Sequence, residues 1–395
     1  MSERNLDFDT VIERKGTNCL KYDFAMDRGM QEDILPLWVA DMDFRTSSYI
    51  QDALIAQIEH GIFGYSEVHE EYNIALKNWL ATHHNYRIQS DWIVKTPGVV
   101  FALAMAVRAF TKEGEGVLIQ PPVYYPFYEV IEANDRKVIE NPLVQREDGS
   151  YGMDLQDFEA KIVANNIHLF YLCNPHNPVG RAWSREELTA LGDICVRHNV
   201  VVVSDEIHAD FVFQGEHQVL ASLKEEYKKH VITCTSPSKT FNLAGLQISN
   251  IIIADKELKH KFTHQIGAAG YSQLNIAGLV AAQAAYSNGE EWYQGVKKYI
   301  WENILFVKQF LAENLPQIRF RVPEGTYLLW LDCRELGLDE KELEELVVKK
   351  AGLWLDKGAI FGKTGVGFER INPACPRSVL EKALRQLADA VHAVR

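Results

Sequence analysis

Short runs of β-branched and aliphatic residues, most of them closed by a polar residue, recur from about residue 92 to about residue 285. They lie at 92–95, 117–120, 167–173, 200–204, 231–235 and 250–254. Apolar runs this short and continuous read as strands buried on both faces of a parallel sheet. Between them, apolar residues recur at helical spacing over 99–110, 184–198 and 258–266. Such alternation predicts an α/β fold with a mostly parallel central sheet covered by helices.

The pattern changes after about residue 285. A long helical stretch at 291–314 leads to a strand at 325–332, further strands at 353–356 and 367–371, and a terminal helix near 377–394. This mixture predicts a smaller α+β domain. Residues 1–46 follow neither period and read as an irregular arm joining the small domain, and a helical pattern follows them. The expected organisation is an arm over 1–46, a large domain over 47–285 and a small C-terminal domain over 286–395. No repeat, low-complexity tract or flexible linker interrupts the chain, so the domains are expected to meet over a large interface.

Composition narrows the function. The 395 residues carry a net charge of −13 with no block of lysine or arginine. Affinity for nucleic-acid backbones rests on clustered positive charge, so no nucleic-acid partner is expected. The first residues are polar and acidic, unlike a secretory signal, and no stretch approaches the ~20 apolar residues that span a bilayer. Six scattered cysteines (19, 173, 195, 234, 333 and 375) contain no Cys-x-x-Cys pair. They predict buried thiols rather than disulfides or a metal site, in a cytoplasmic protein with no membrane attachment.

Three polar residues stand just beyond strand ends. Asn177 lies in Asn174-Pro-His-Asn-Pro-Val-Gly180, Asp205 closes Val200-Val-Val-Val-Ser-Asp205, and Lys239 lies in Ser236-Pro-Ser-Lys-Thr240. Ligands of open α/β sheets bind beyond the carboxyl ends of the strands, so one rim receives an amide, a carboxylate and an amine. That set suits pyridoxal 5′-phosphate: a lysine for the Schiff base, an acid for the pyridinium nitrogen, an amide for the ring oxygen.

Each residue also has a plainer explanation. Alone, Lys239 is a solvated loop lysine, although a desolvated amine there is a nucleophile. Asp205 is otherwise a helix cap or an ion-pair partner. His208 can reach the ring oxygen or simply be a satisfied structural histidine. Gly98, between a strand and the helix opening at Val99 and Val100, admits a phosphate to free backbone N–H groups, yet many helices start after Pro-Gly. Tyr124 offers a face for stacking, with Tyr125 as the alternative in the same turn. Arg370, in Gly367-Phe-Glu-Arg-Ile-Asn372, is either a bidentate carboxylate fork or half of a surface ion pair.

Taken together, the ordered series Asn177, Asp205, Lys239 and Arg370 resembles the fold-type I, class I/II aminotransferase superfamily of pyridoxal-phosphate enzymes over nearly the whole chain. Leu37-Trp-Val-Ala-Asp-Met-Asp-Phe44, Phe63-Gly-Tyr65, Thr96-Pro-Gly-Val-Val100 and Ser238-Lys-Thr-Phe-Asn-Leu-Ala-Gly-Leu246 resemble its MalY/PatB branch of cystathionine β-lyases, or cysteine-S-conjugate β-lyases. The resemblance implies that Lys239 carries the cofactor and shuttles the Cα proton. It implies that Asp205, Asn177 and His208 hold the ring, that Tyr124 stacks on it, and that Gly98, Val99, Val100, Ser236 and Ser238 hold the phosphate. Tyr65 is implied to reach the phosphate of the neighbouring subunit, which makes the enzyme a homodimer with shared sites. Arg370 and Asn177 are implied to bind the substrate carboxylate, with Trp38 and Ala40 lining the pocket.

Two positions depart from the pattern. Gln247 stands where related aminotransferases carry an arginine as a second phosphate ligand, which favours the lyase branch. Arg45-Thr-Ser-Ser48 stands where related lyases often have prolines, which leaves the arm's path open. The implied reaction is β-elimination from cystathionine or a related sulfur amino acid to a thiol, pyruvate and ammonia. An aminotransferase, or a regulatory protein working through protein contact, are the rival functions.

Overall fold

In the computed structural model, which describes residues 6–393, seven strands form the main sheet. Across the sheet they run Ile93–Thr96, Ser249–Ile252, Val231–Thr235, Val201–Asp205, Leu169–Cys173, Gly116–Ile119 and Lys137–Glu140. The last five pair in parallel, whereas Ser249–Ile252 is antiparallel to both of its neighbours. Successive side chains of these strands enter two different cores. Phe170, Leu172 and Val202 point into one, and Leu169, Tyr171 and Val203 into the other. Burial on both faces is why the sequence shows continuous apolar runs rather than alternation.

Chain order reverses between Gly116–Ile119 and Leu169–Cys173. From the first the chain moves outward to Lys137–Glu140; from the second it moves the other way through Val201–Asp205. The crevice at such a switch point is where open α/β sheets bind ligands. Tyr124 follows the first of these strands and Asn177 the second.

A second, wholly antiparallel sheet contains Arg319–Phe320, Leu329–Asp332, Phe368–Ile371 and Asp356–Lys357. The expected strand at 325–332 begins only at Leu329, because Thr326 has a left-handed φ of 62°. The stretch expected at 353–356 splits into Leu353–Trp354, which pairs in parallel with Leu35–Pro36 of the arm, and Asp356–Lys357. The terminal helix runs Arg377–His392, so the expected end at residue 394 lies outside the described residues, as do residues 1–5 of the arm.

Candidate active site

The parallel strands deliver their polar ends to one rim. Cys173 is level with Asp205, and Asp205 with Cys234, so the loops carrying Asn177 and Lys239 leave the sheet on either side of Asp205. The residues expected from sequence then meet in one cavity. Tyr124, Asn177, Asp205, His208 and Lys239 come from the large sheet, Arg370 from the second sheet, and Trp38 and Ala40 from the arm.

Asp205 is buried and accepts the backbone N–H of Ile207 at 3.2 Å. Burial raises its carboxyl to about 7 against the opposing pull of Lys239. A carboxylate so placed calls for a cationic N–H partner. Lys239 donates to the carbonyl of Ala40 at 2.6 Å. Burial lowers its amine to about 8, with Asp41 opposing and Arg370 assisting the shift. His208 is held well below the ordinary histidine range, chiefly by burial and then by the charges of Lys239 and Arg370, and its Nδ1 is buried without a partner. Burial likewise raises the Tyr124 phenol.

Arg370 is buried on its strand. It donates to Asn177 Oδ1 at 3.0 Å and to the Trp38 carbonyl at 2.9 Å, and pairs with Asp356, while its Nε has no partner. A fork of this kind has a donor in reserve for a carboxylate.

The residues expected at the phosphate lie on two loops that follow strands of the main sheet. Gly98 caps the helix Val99–Phe110, and a methyl group at its Cβ position would meet nothing within 4 Å. The helix therefore opens on free space, and Val100 reaches the cavity wall. Ser236 accepts the backbone N–H of Ser238 at 3.1 Å, and its hydroxyl lies 2.8 Å from that of Ser238. Behind them, the paired strand residues Thr96 and Ser249 share a 2.7 Å hydroxyl contact, and the Ser236 hydroxyl donates to the Ile248 carbonyl at 2.7 Å. Gly98, Val99, Ser236 and Ser238 are not among the residues that line this cavity. The orphaned nitrogens of His208 and Arg370 and the buried Asp205 carboxyl, which lacks a cationic hydrogen-bond donor among the described residues, fit the ring of pyridoxal phosphate in one cavity.

One expected participant, Tyr65, and the departing position Gln247 both lie outside the cavity of the single chain. Tyr65 is 96% exposed and outside the cavity. Gln247 is also exposed, at a left-handed turn with φ 49°.

Residues 33–387 match the family model described as aminotransferase class I and II. The chain belongs to that family. Among its aminotransferase class I and II relatives, cystathionine beta-lyase PatB of Bacillus subtilis (strain 168) is 42% identical over 98% of this chain and 100% of its own length. Protein MalY of Escherichia coli (strain K12) is 34% identical, again over 98% of this chain and all of its own. The crystal structure of cystalysin from Treponema denticola, which contains pyridoxal 5′-phosphate, aligns with a TM-score of 0.95 at 39% identity, covering 98% of this chain and 99% of that one.

Several contributors escaped the sequence-based analysis. Tyr327 donates to the same Ala40 carbonyl at 3.0 Å, and Asp356 forms the buried partner of Arg370. The arm is fixed from both sides: Asn242 bonds the backbone of Met42 and Phe44, and Asn372 bonds the carbonyls of Val39 and Asp41. Arg14 and the fully buried Lys21 neutralise Asp43. The signal for the asparagines was position, three residues after Lys239 and two after Arg370.

Proposed function

We propose that this chain is a pyridoxal-phosphate-dependent carbon–sulfur β-lyase that cleaves cystathionine or related cysteine S-conjugates to a thiol, pyruvate and ammonia. The observation that carries this is the convergence of Lys239, Asp205, Asn177 and Arg370 on one buried cavity. Full-length similarity to a cystathionine β-lyase selects sulfur elimination from the chemistry that such a cavity could support.

When bound, pyridoxal phosphate supplies an electron sink for the pair left when the substrate Cα loses its proton. The chain does the rest. Arg370 and Asn177 grip the α-carboxylate and so aim the Cα–H bond. Lys239, its amine already eased towards neutrality by burial, removes that proton. Asp205 would hold the pyridine nitrogen in its positive form, and Asn177 and His208 would serve the ring oxygen. Tyr124 would stack on the ring, while the Gly98–Val100 backbone, Ser236 and Ser238 would hold the phosphate. Trp38 and Ala40 close the substrate side and exclude water. Loss of the thiolate from Cβ leaves an enamine, which hydrolyses to pyruvate and ammonia.

The enzyme is further proposed to be a cytoplasmic homodimer, with Tyr65 reaching its partner's phosphate site. Ile55, Ile58, Ile62 and Phe63 are at least half exposed beside Tyr65, an apolar row suited to burial by a second subunit. Five buried free thiols suit a reducing compartment, and among the described residues no helix is long and apolar enough to cross a membrane. The division into an arm (1–46), a large cofactor domain (47–285) and a small domain (286–395) is proposed on the two separate sheets.

The test is a product assay on cofactor-loaded protein with L-cystathionine and no keto acid. Repeated release of pyruvate, ammonia and homocysteine supports the β-lyase. A single turnover that resumes only when a keto acid is added would make the protein an aminotransferase.

A further inference from the structure

Beyond the groups that grip the α-carboxylate, the arm carries two further anion donors, one in the cavity wall (Trp38) and one outside it that stands over the Trp38 ring (Arg28). Trp38 lines the cavity and is only 7% exposed. Its carbonyl is taken by Arg370, but its indole Nε1–H is buried without an acceptor. A buried N–H without a partner is uncommon, and at a ligand cavity it marks a place for an acceptor carried by the ligand.

The Trp38 ring is fixed, not adaptable. One neighbour is Trp354, stacked with centroids 4.5 Å apart and planes at 16°. Another is Arg28, whose guanidinium carbon stands 5.6 Å from the ring centroid. Arg28 ends a short 3₁₀ turn, Met26–Arg28, closed by Gly29 with a left-handed φ of 77°. Its side chain is exposed, and among the described residues no hydrogen bond or ion pair holds its guanidinium. Its charge also acts on the phenol of Tyr125, another residue of the cavity wall. A free guanidinium over an indole, beside an unsatisfied N–H, is complementary to a carboxylate.

We propose that Arg28 and the Trp38 indole N–H bind a carboxylate at the far end of the substrate's sulfur substituent. This rests on the β-lyase function proposed above and sharpens its substrate class. Preferred substrates are thioethers or disulfides whose leaving group is itself an acid, an amino acid above all. Arg370 takes the near carboxylate and Arg28 the far one, with the Trp38 residue between them: its carbonyl on Arg370, its ring under Arg28.

Three substrates and one variant test this on the cofactor-loaded enzyme. L-cystathionine carries the distal carboxylate and amine, S-(3-carboxypropyl)-L-cysteine lacks only the distal amine, and S-butyl-L-cysteine lacks both. In Arg28→Met, which keeps an apolar stem on Trp38, KM for the two carboxylates should rise about tenfold while kcat holds. KM for S-butyl-L-cysteine should stay within about twofold, and Arg28→Lys should recover part of the loss. An equal change for all three substrates, or no change for the carboxylates, overturns the proposal. Absence of pyruvate from all three with the wild-type enzyme defeats the β-lyase function instead. The preference is then read as dissociation constants from the cofactor's absorbance, and equal binding of the three overturns the carboxylate site.

Discussion

Arg370 sets the direction of the Asn177 carboxamide. Its Nη1 donates to Asn177 Oδ1 at 3.0 Å, which fixes the oxygen on the arginine side and leaves the NH₂ as the free end. In the proposed complex that end donates to the ring oxygen of the cofactor and stabilises its deprotonated form. Replacing Asn177 by Ala removes the donor but leaves Arg370 paired with Asp356. The cofactor's absorbance should then titrate at higher pH than in the wild type. A spectrophotometric titration that coincides with the wild type would remove Asn177 from this role.

Lys239 is constrained by the arm as much as by its own strand, since Ala40 accepts from it at 2.6 Å and from Tyr327 at 3.0 Å. Lys239→Ala takes away the amine while leaving Asp205, Asn177 and the phosphate loops in place. Turnover should be abolished while the cofactor still binds, as measured by its retention through gel filtration. Wild-type turnover in this variant would end the mechanism proposed here.

A buried network behind the site gives a stability prediction. Asp210 accepts from Trp79 Nε1 at 3.1 Å, lies 2.8 Å from His84 Nε2, and receives the hydroxyl of Thr240, the neighbour of Lys239. Burial alone would raise its carboxyl, but the bonds and charge from His84 and the bond from Thr240 outweigh that and hold it at about 2. Asp210→Ala strands three buried donors and should cost about 3–5 kcal/mol in urea denaturation. Because the folded pKa lies below the unfolded one, the carboxylate's contribution is present above about pH 4 and fades as pH falls through about 2. The variant should lose less stability than the wild type across that acid window.

The parallel sheet and its rim were legible because strands buried on both faces must be continuously apolar, and the residues that end them must be polar for a reason. Asn177, Asp205 and Lys239 stood out on that ground. The partners of these residues did not. Asp356 follows the broken strand at Leu353–Trp354, Tyr327 lies just after a left-handed Thr326, and Asn242 and Asn372 act on an arm some 200 and 330 positions away. Apart from the closeness of Asn242 to Lys239 and of Asn372 to Arg370, nothing local in their neighbourhoods differs from ordinary loop or strand ends. Pairings between distant segments depend on how the two sheets and the arm come together, and hydrophobic periodicity carries no record of that.

Asp205 yields the last prediction, one that separates the apoprotein from the loaded enzyme. Burial lifts its folded pKa to about 7 from an ordinary 3.8. Between those values the folded apoprotein binds more protons than the unfolded chain, so its stability falls as pH rises from about 4 to about 7. The full effect is on the order of 4 kcal/mol, 1.36 kcal/mol for each pH unit of the difference. A pyridinium N–H beside the carboxylate removes the cause, because an opposite charge favours the ionised form. Denaturation midpoints of the apoprotein should therefore decline over this range, while Asp205→Asn apoprotein should show a flatter profile. The loaded wild-type enzyme should also be flatter than its own apoprotein. Parallel profiles for the apoprotein and the Asn variant would show that Asp205 is already compensated without the cofactor.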